Sequence, residues 1–266
     1  MDRSGVSLGP PRAPPIAKPV RAASAFRSLG AIDARNVARD SMLRWIAVFT
    51  PLFGLLFRFA VPTVADALER QLGFDLVEYY PLLMSFLPLM VAGMTGTVVG
   101  FLLLDQRDDE TLTALLVTPL SLGDYLRYRL SGLTLASAVF GALTVPLAGL
   151  SETTAPQVVV AAVTAAPLAP LYALFLGAFA ANKVQGFALA KVAGVVLVPC
   201  VVAYFVTGPW QSAFGVVPHY WPLKVFWLFD EGAPGAALAH AVIGLAWQAT
   251  LLVLLVRSLA SRLRTS

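Results

Sequence analysis

Charge is scarce in this 266-residue chain: Asp, Glu, Lys and Arg make up 13% of it against 58% hydrophobic residues, and the mean hydropathy is +0.76. So few polar side chains cannot coat a soluble domain, which excludes that class and points to a polytopic membrane protein. The single cysteine, Cys200, excludes a disulfide framework and a cysteine-based metal centre, and its place in an apolar run assigns it to packing. No G-x-x-x-x-G-K-[ST] loop is present, so the chain has no means of its own to cradle a nucleotide in the usual way. A Gly-x-Ser-x-Gly elbow and an H-E-x-x-H helix are missing too. The only histidines, His219 and His240, read as interfacial side chains. The ten-residue alternation of an outer-membrane barrel is absent, so the spans are helical.

What is present is a series of apolar runs of about twenty residues, each long enough to cross a hydrocarbon core of about 30 Å. Hydropathy predicts six spans, at about 43–64, 81–104, 130–150, 157–181, 187–207 and 236–257. Residues 1–22 are basic, rich in proline and aperiodic, and read as a disordered tail and not as a secretory signal. Residues 23–42 mix Phe26, Leu29, Ile32 and Val37 with charges, a pattern that suits a helix lying along the membrane surface. Residues 258–266 read as a short C-terminal tail.

Lys and Arg set the orientation. Eight lie before the first span, three after the second, two after the fourth and three at the C-terminal end; Arg70 and Lys224 fall on the other face and Arg58 within the first span. The positive-inside rule therefore puts both termini in the cytoplasm. Basic charge placed this way serves topology and gives no reason to expect nucleic acid. The segment between spans five and six carries Trp210, Phe214, Tyr220, Trp221, Phe226, Trp227 and Phe229, rings that suit a headgroup boundary. It reads as a re-entrant structure packed over the bundle. Gly93, Gly96 and Gly100 form a small-residue face for close helix approach, and Pro146, Pro167, Pro170 and Pro199 predict kinks in spans three, four and five.

Acids deep in the spans, the usual mark of proton or sodium coupling, are also missing, and no deep polar cluster is evident. Uphill transport would need energy from outside the chain. Arg58 either snorkels to the outer headgroups or faces the bundle as part of a substrate pathway.

The longest loop on the cytoplasmic side, DQRDDETLTALLVTPLSLGDYLRYRL, gathers Asp108, Asp109 and Glu110 where negative charge stabilises a helix N-terminus. Leu112, Leu115 and Leu116 follow at helical spacing, and Pro119 ends the turn by biasing Thr118 away from the helical region. Ser121 with Asp124 can cap the next helix. The loop thus predicts a short amphipathic helix with an acidic leading end. An anionic leaflet would repel it, which favours a protein partner.

This stretch resembles the coupling helix of type-2 ABC transporter permeases, through Thr111, Leu112, Leu115, Leu116, Thr118, Pro119, Leu120 and Ser121; Glu110 and Thr113 depart from the commonest form. LGAIDARNVARDSMLRW together with the loop is similar to the bacterial branch of fluoroquinolone or multidrug export permeases. The resemblance implies an all-α fold with a surface helix, six spans, a coupling helix after span two and re-entrant structure before span six. It implies a non-enzymatic exporter subunit in the bacterial inner membrane, with ATP and Mg held by a separate subunit and a second permease, identical or related, alongside. Asp108, Asp109 and Glu110 would join the motif residues in contacting that ATP-binding subunit. The alternatives are an ATP-independent carrier or channel and an intramembrane enzyme.

Overall fold

The computed structural model describes residues 41–108 and 122–265, with side chains over 48–106 and 127–258. The tail at 1–22, nearly all of the surface helix at 23–42 and the coupling residues from Asp109 to Ser121 lie outside the described residues. Among those described there is no strand. Helix α1 covers Ser41–Leu72; a 3-10 turn at Val77–Tyr79 leads into α2, Tyr80–Asp108, and α3 follows at Leu122–Ala148. Then come α4 (Ala155–Ala165), α5 (Leu168–Phe179), α6 (Lys183–Val195) and α7 (Leu197–Phe205). A 3-10 stretch at Pro209–Val216 precedes α8 (Tyr220–Asp230) and the long α9 (Pro234–Thr265).

Six helical segments among the described residues are long and apolar enough to cross a membrane: 48–72, 77–106, 127–148, 155–179, 183–205 and 234–258. The protein is a multi-pass helical membrane protein. These spans agree with the hydropathy reading to within a few residues except at the end of the first, where the helix continues to Leu72. Asp66, Glu69 and Arg70 lower the hydropathy there, but neither glycine nor proline follows Pro62 within the helix to stop it. The last helix likewise runs through the segment read as a tail, because Ser258–Thr265 holds no breaker.

Prolines divide two of the spans. Span four is split into α4 and α5 at Pro167, and span five into α6 and α7 at Val196, three residues before Pro199. Each proline lacks the N–H that would continue the helical ladder. Pro146 sits near the end of α3 without breaking it.

Burial orders the spans. In the second and fourth, 61% and 67% of the apolar window is buried, against 17% in the first, fifth and sixth. Spans two and four are therefore the centre of the bundle. In lipid, helices gain little from the hydrophobic effect and associate through close packing. The glycine face supplies that packing: a Cβ on Gly96 would collide with the Ala169 carbonyl and come 2.7 Å from Tyr172 Cβ, and one on Gly100 would come 2.8 Å from Leu176.

Helix α8 does not lie over the bundle but inside it. At its end, Phe226 O accepts from Gln157 near the start of α4 (3.2 Å), and Trp227 Nε1 donates to Ser85 Oγ near the start of α2 (3.0 Å). At its beginning, Trp221 packs on Gly244, and Pro218 O accepts from Gln248 at 3.2 Å. Gln248 is fourteen residues into α9, roughly 21 Å at about 1.5 Å per residue. The 3-10 stretch and α8 thus form a hairpin that enters and leaves at one end of the bundle, with its tip at 217–219 near mid-membrane. Tyr220, Phe226 and Trp227, expected at the headgroup boundary, are core residues here, while Trp210 is 81% exposed. The indole N–H groups of Trp221 and Trp247 reach Gly215 O and Val216 O, so these rings are satisfied at depth.

Candidate coupling site and re-entrant hairpin

The predicted coupling segment is bracketed by Asp105 and Gln106 on α2 and by Arg129 on α3. Asp105 Oδ1 lies 2.7 Å from Lys183 Nζ, the first residue of α6. Arg129 Nη1 donates to Gln106 Oε1 at 3.0 Å. The two stems of the loop are thereby joined to each other and to the base of span five.

Local sequence explains why Lys183 stands there. Asn182 caps α6 by accepting from Gln185 N (3.0 Å), while Gln185 Oε1 accepts from Ala181 N (2.9 Å), which fixes the first turn. Gly186 then lets α6 close on Phe101 and Leu104 of α2, and Phe101 packs on Phe187 at a centroid distance of 4.5 Å. The ion pair is partly solvated, its side chains 56% and 39% exposed, and such pairs contribute about 0–1 kcal/mol. Its significance is geometric. Asp108 closes α2; the other coupling residues of the sequence reading lie outside the described residues. Lys183 and Asp105 were not singled out in the sequence, since nothing local shows that residues so far apart in the chain would meet.

Arg58 is exposed and reaches Gly149, just beyond the end of α3: a Cβ on Gly149 would lie 2.8 Å from Arg58 Nη1. A guanidinium at that helix end meets the negative pole of the α3 dipole. The structure does not bring Arg58 to the coupling stems or to the hairpin tip.

The opposite end of the bundle holds the hairpin and its anchors. Thr154 and Gln157 form a capping box (3.3 and 3.2 Å), and the Gln157 amide also donates to Phe226 O at 3.2 Å. At the end of α8, Gly232 (φ +74°) makes a Schellman turn, with Gly232 N on Phe229 O (3.1 Å) and Ala233 N on Leu228 O (2.8 Å). Burial next to Glu231 holds the Asp230 carboxyl above its ordinary range.

At the tip, the structure corrects the sequence reading. His219 is 7% exposed, and its Nε2 is 2.9 Å from Tyr172 OH of α5, whose ring is backed by Gly93. Gln248 is fully buried beside it. A polar cluster therefore does exist deep in the bundle. Hydropathy missed it because its members come from two spans and an intervening segment. The proline-flanked His219 in VPHYWP and the lone Tyr172 of span four were its only signals. His240 is half-buried, its ring centroid 6.1 Å from that of Trp221, and its Nδ1 bonds Ala236 O at 2.8 Å within its own helix.

The sequence profile of a family described as fluoroquinolones export permease protein Rv2686c-like matches residues 33–256, all six spans included. The chain belongs to this family. Among relatives of this export permease are the fluoroquinolones export permease proteins MT2760 and Rv2686c of Mycobacterium tuberculosis strains CDC 1551 / Oshkosh and H37Rv. Each is 32% identical over 214 residues, which is 78% of this chain and 83% of the relative. No solved structure matches. The matched residues include the loop between the two braced stems.

Proposed function

We propose that this export permease is the membrane-spanning subunit of an ATP-binding cassette exporter, and that it moves small amphipathic, drug-like molecules out of the cell. The fluoroquinolones named for its relatives are the first cargo to test. In this reading a separate subunit binds ATP with Mg and hydrolyses it; the permease itself catalyses no bond change. A second permease, identical or related, completes the pathway in the bacterial inner membrane, and both termini are cytoplasmic.

The observation that carries the proposal is the bracing of the loop stems. A push on residues 109–121 reaches α2 and α3 directly, and the Asp105–Lys183 pair passes it to α6. Helices are stiff over these lengths, so a displacement at the stems becomes a movement of whole spans and not a local bend. The breaks at Pro167 and Val196 give spans four and five places to yield.

The direct test is co-purification. Reversing the charges of Asp108, Asp109 and Glu110, or replacing Leu115 and Leu116 by Asp, should abolish association with the ATP-binding subunit while membrane insertion persists. Retained association and ATP-dependent transport in those variants would sink the coupling role.

A further inference from the structure

The wall of the bundle is not closed between the second half of α3 and the start of α4. A trough of about 490 Å³ runs there, with Val139, Leu143 and Pro146 on the α3 side and Val158 and Val159 on the α4 side. Two of its other lining side chains, Ala142 and Ala155, are single methyl groups, too short to fill the space between the helices. Val139, Leu143 and Val159 are each about half exposed, so the trough opens sideways to the hydrocarbon of the bilayer.

Polarity is confined to one end of it. From Val139 to Pro146 is two turns of α3, roughly 10 Å at about 1.5 Å per residue. Among the described residues the only polar lining side chain is that of Thr153, beside the start of α4. Gly149 joins this end to Arg58: a Cβ on Gly149 would lie 3.4 Å from the carbonyl oxygen of Pro146, a wall residue, and 2.8 Å from Arg58 Nη1. The apolar span of α3 ends at Ala148, which puts the guanidinium at headgroup level. Glu152 of the connecting loop is exposed, and Arg58 forms no ion pair with it. The start of α4 adds the positive pole of a helix dipole at the same level.

A trough that is apolar along its length, open to lipid and met by a cation only at the interface has the polarity profile of a phospholipid. A drug-sized ligand is held instead by polar groups placed around its body, and the trough walls supply none. We propose that the trough binds an anionic phospholipid of the leaflet at the hairpin end. One acyl chain lies along Val139, Leu143 and Val159, and the phosphate pairs with Arg58, whose planar fork suits phosphate oxygens. The site goes beyond the proposed function and depends neither on the energy source nor on the cargo.

Native mass spectrometry of the detergent-purified full chain, titrated with phosphatidylglycerol or with phosphatidylcholine of the same acyl chains, tests this. The parent should hold one equivalent of phosphatidylglycerol with an affinity about fivefold above that for phosphatidylcholine, the scale of one basic residue at a membrane surface. Arg58→Gln should bring the two lipids level, and Arg58→Lys should keep most of the preference. Leu143→Trp, which fills the trough from its open side, should weaken both lipids. Leu135→Trp, also exposed on α3 but outside the trough, should weaken neither. The three substituted side chains are exposed, so the variants keep the fold. No preference in the parent, an undiminished preference in Arg58→Gln, or equal retention in the two tryptophan variants would overturn the lipid site. Displacement of the bound lipid by a fluoroquinolone would overturn it too, by making the trough a drug site.

Discussion

The carboxylate of Asp105 and the ammonium of Lys183 meet at 2.7 Å although 78 residues separate them, and this contact joins the stem of the predicted coupling loop to the base of span five. Because the pair is partly exposed, removing it should change stability by no more than about 1 kcal/mol. A larger effect belongs to transmission.

Lys183→Glu should leave expression and thermal midpoint nearly unchanged but lower ATP-dependent drug uptake into inverted vesicles severalfold. Restoring opposite charge with Asp105→Lys should recover most of the loss. Uptake equal to the parent in the single variant would show that force reaches span five by another route.

Gly96 and Gly93 lie on the same face of α2 but meet different neighbours. Gly96→Ala drives a methyl into the Ala169 carbonyl, whereas Gly93→Ala places one in ordinary contact, 3.6 Å from the Tyr172 ring. The first should cost about 1–3 kcal/mol and lower the thermal midpoint in detergent. The second should be nearly neutral. Equal behaviour would mean that α2 and α5 are less closely packed than described.

Gln157, 3% exposed, serves two elements at once. Gln157→Leu removes half of the capping box and the donor to Phe226 O, with an expected loss of about 1–3 kcal/mol. Proteolysis or thermal unfolding would register it. Thr154→Ala breaks only the cap and should cost about 1 kcal/mol.

Arg58 reaches the end of α3 from an exposed position. Arg58→Gln should keep protein level and drug uptake within about twofold, the scale of a lost surface dipole contact. Uptake abolished at normal protein level would return Arg58 to the substrate pathway.

Span number and position were legible in the sequence because long apolar runs are local and a bilayer admits few ways to satisfy their backbone. The breaks near Pro167 and Pro199 were legible for the same reason, since proline acts on its own turn of helix. The glycine face announced close approach, though not that α5 would be the partner. The candidate site divided differently. The loop motif could be read along the chain, whereas Lys183 became part of its setting only through the packing of α6 on α2. His219 looked peripheral because a short aromatic segment with prolines has the composition of a headgroup belt, and composition carries no depth.

The sequence by itself determined the class, the six spans, the asymmetry of charge and the polar loop that interrupts the apolar chain; each depends on residues near one another. Only the tertiary structure decided that α8 turns inward and seats a histidine on Tyr172, and that Asp105 finds Lys183. Those are meetings of distant segments, set by which helix faces pack closest, and no local pattern encodes them.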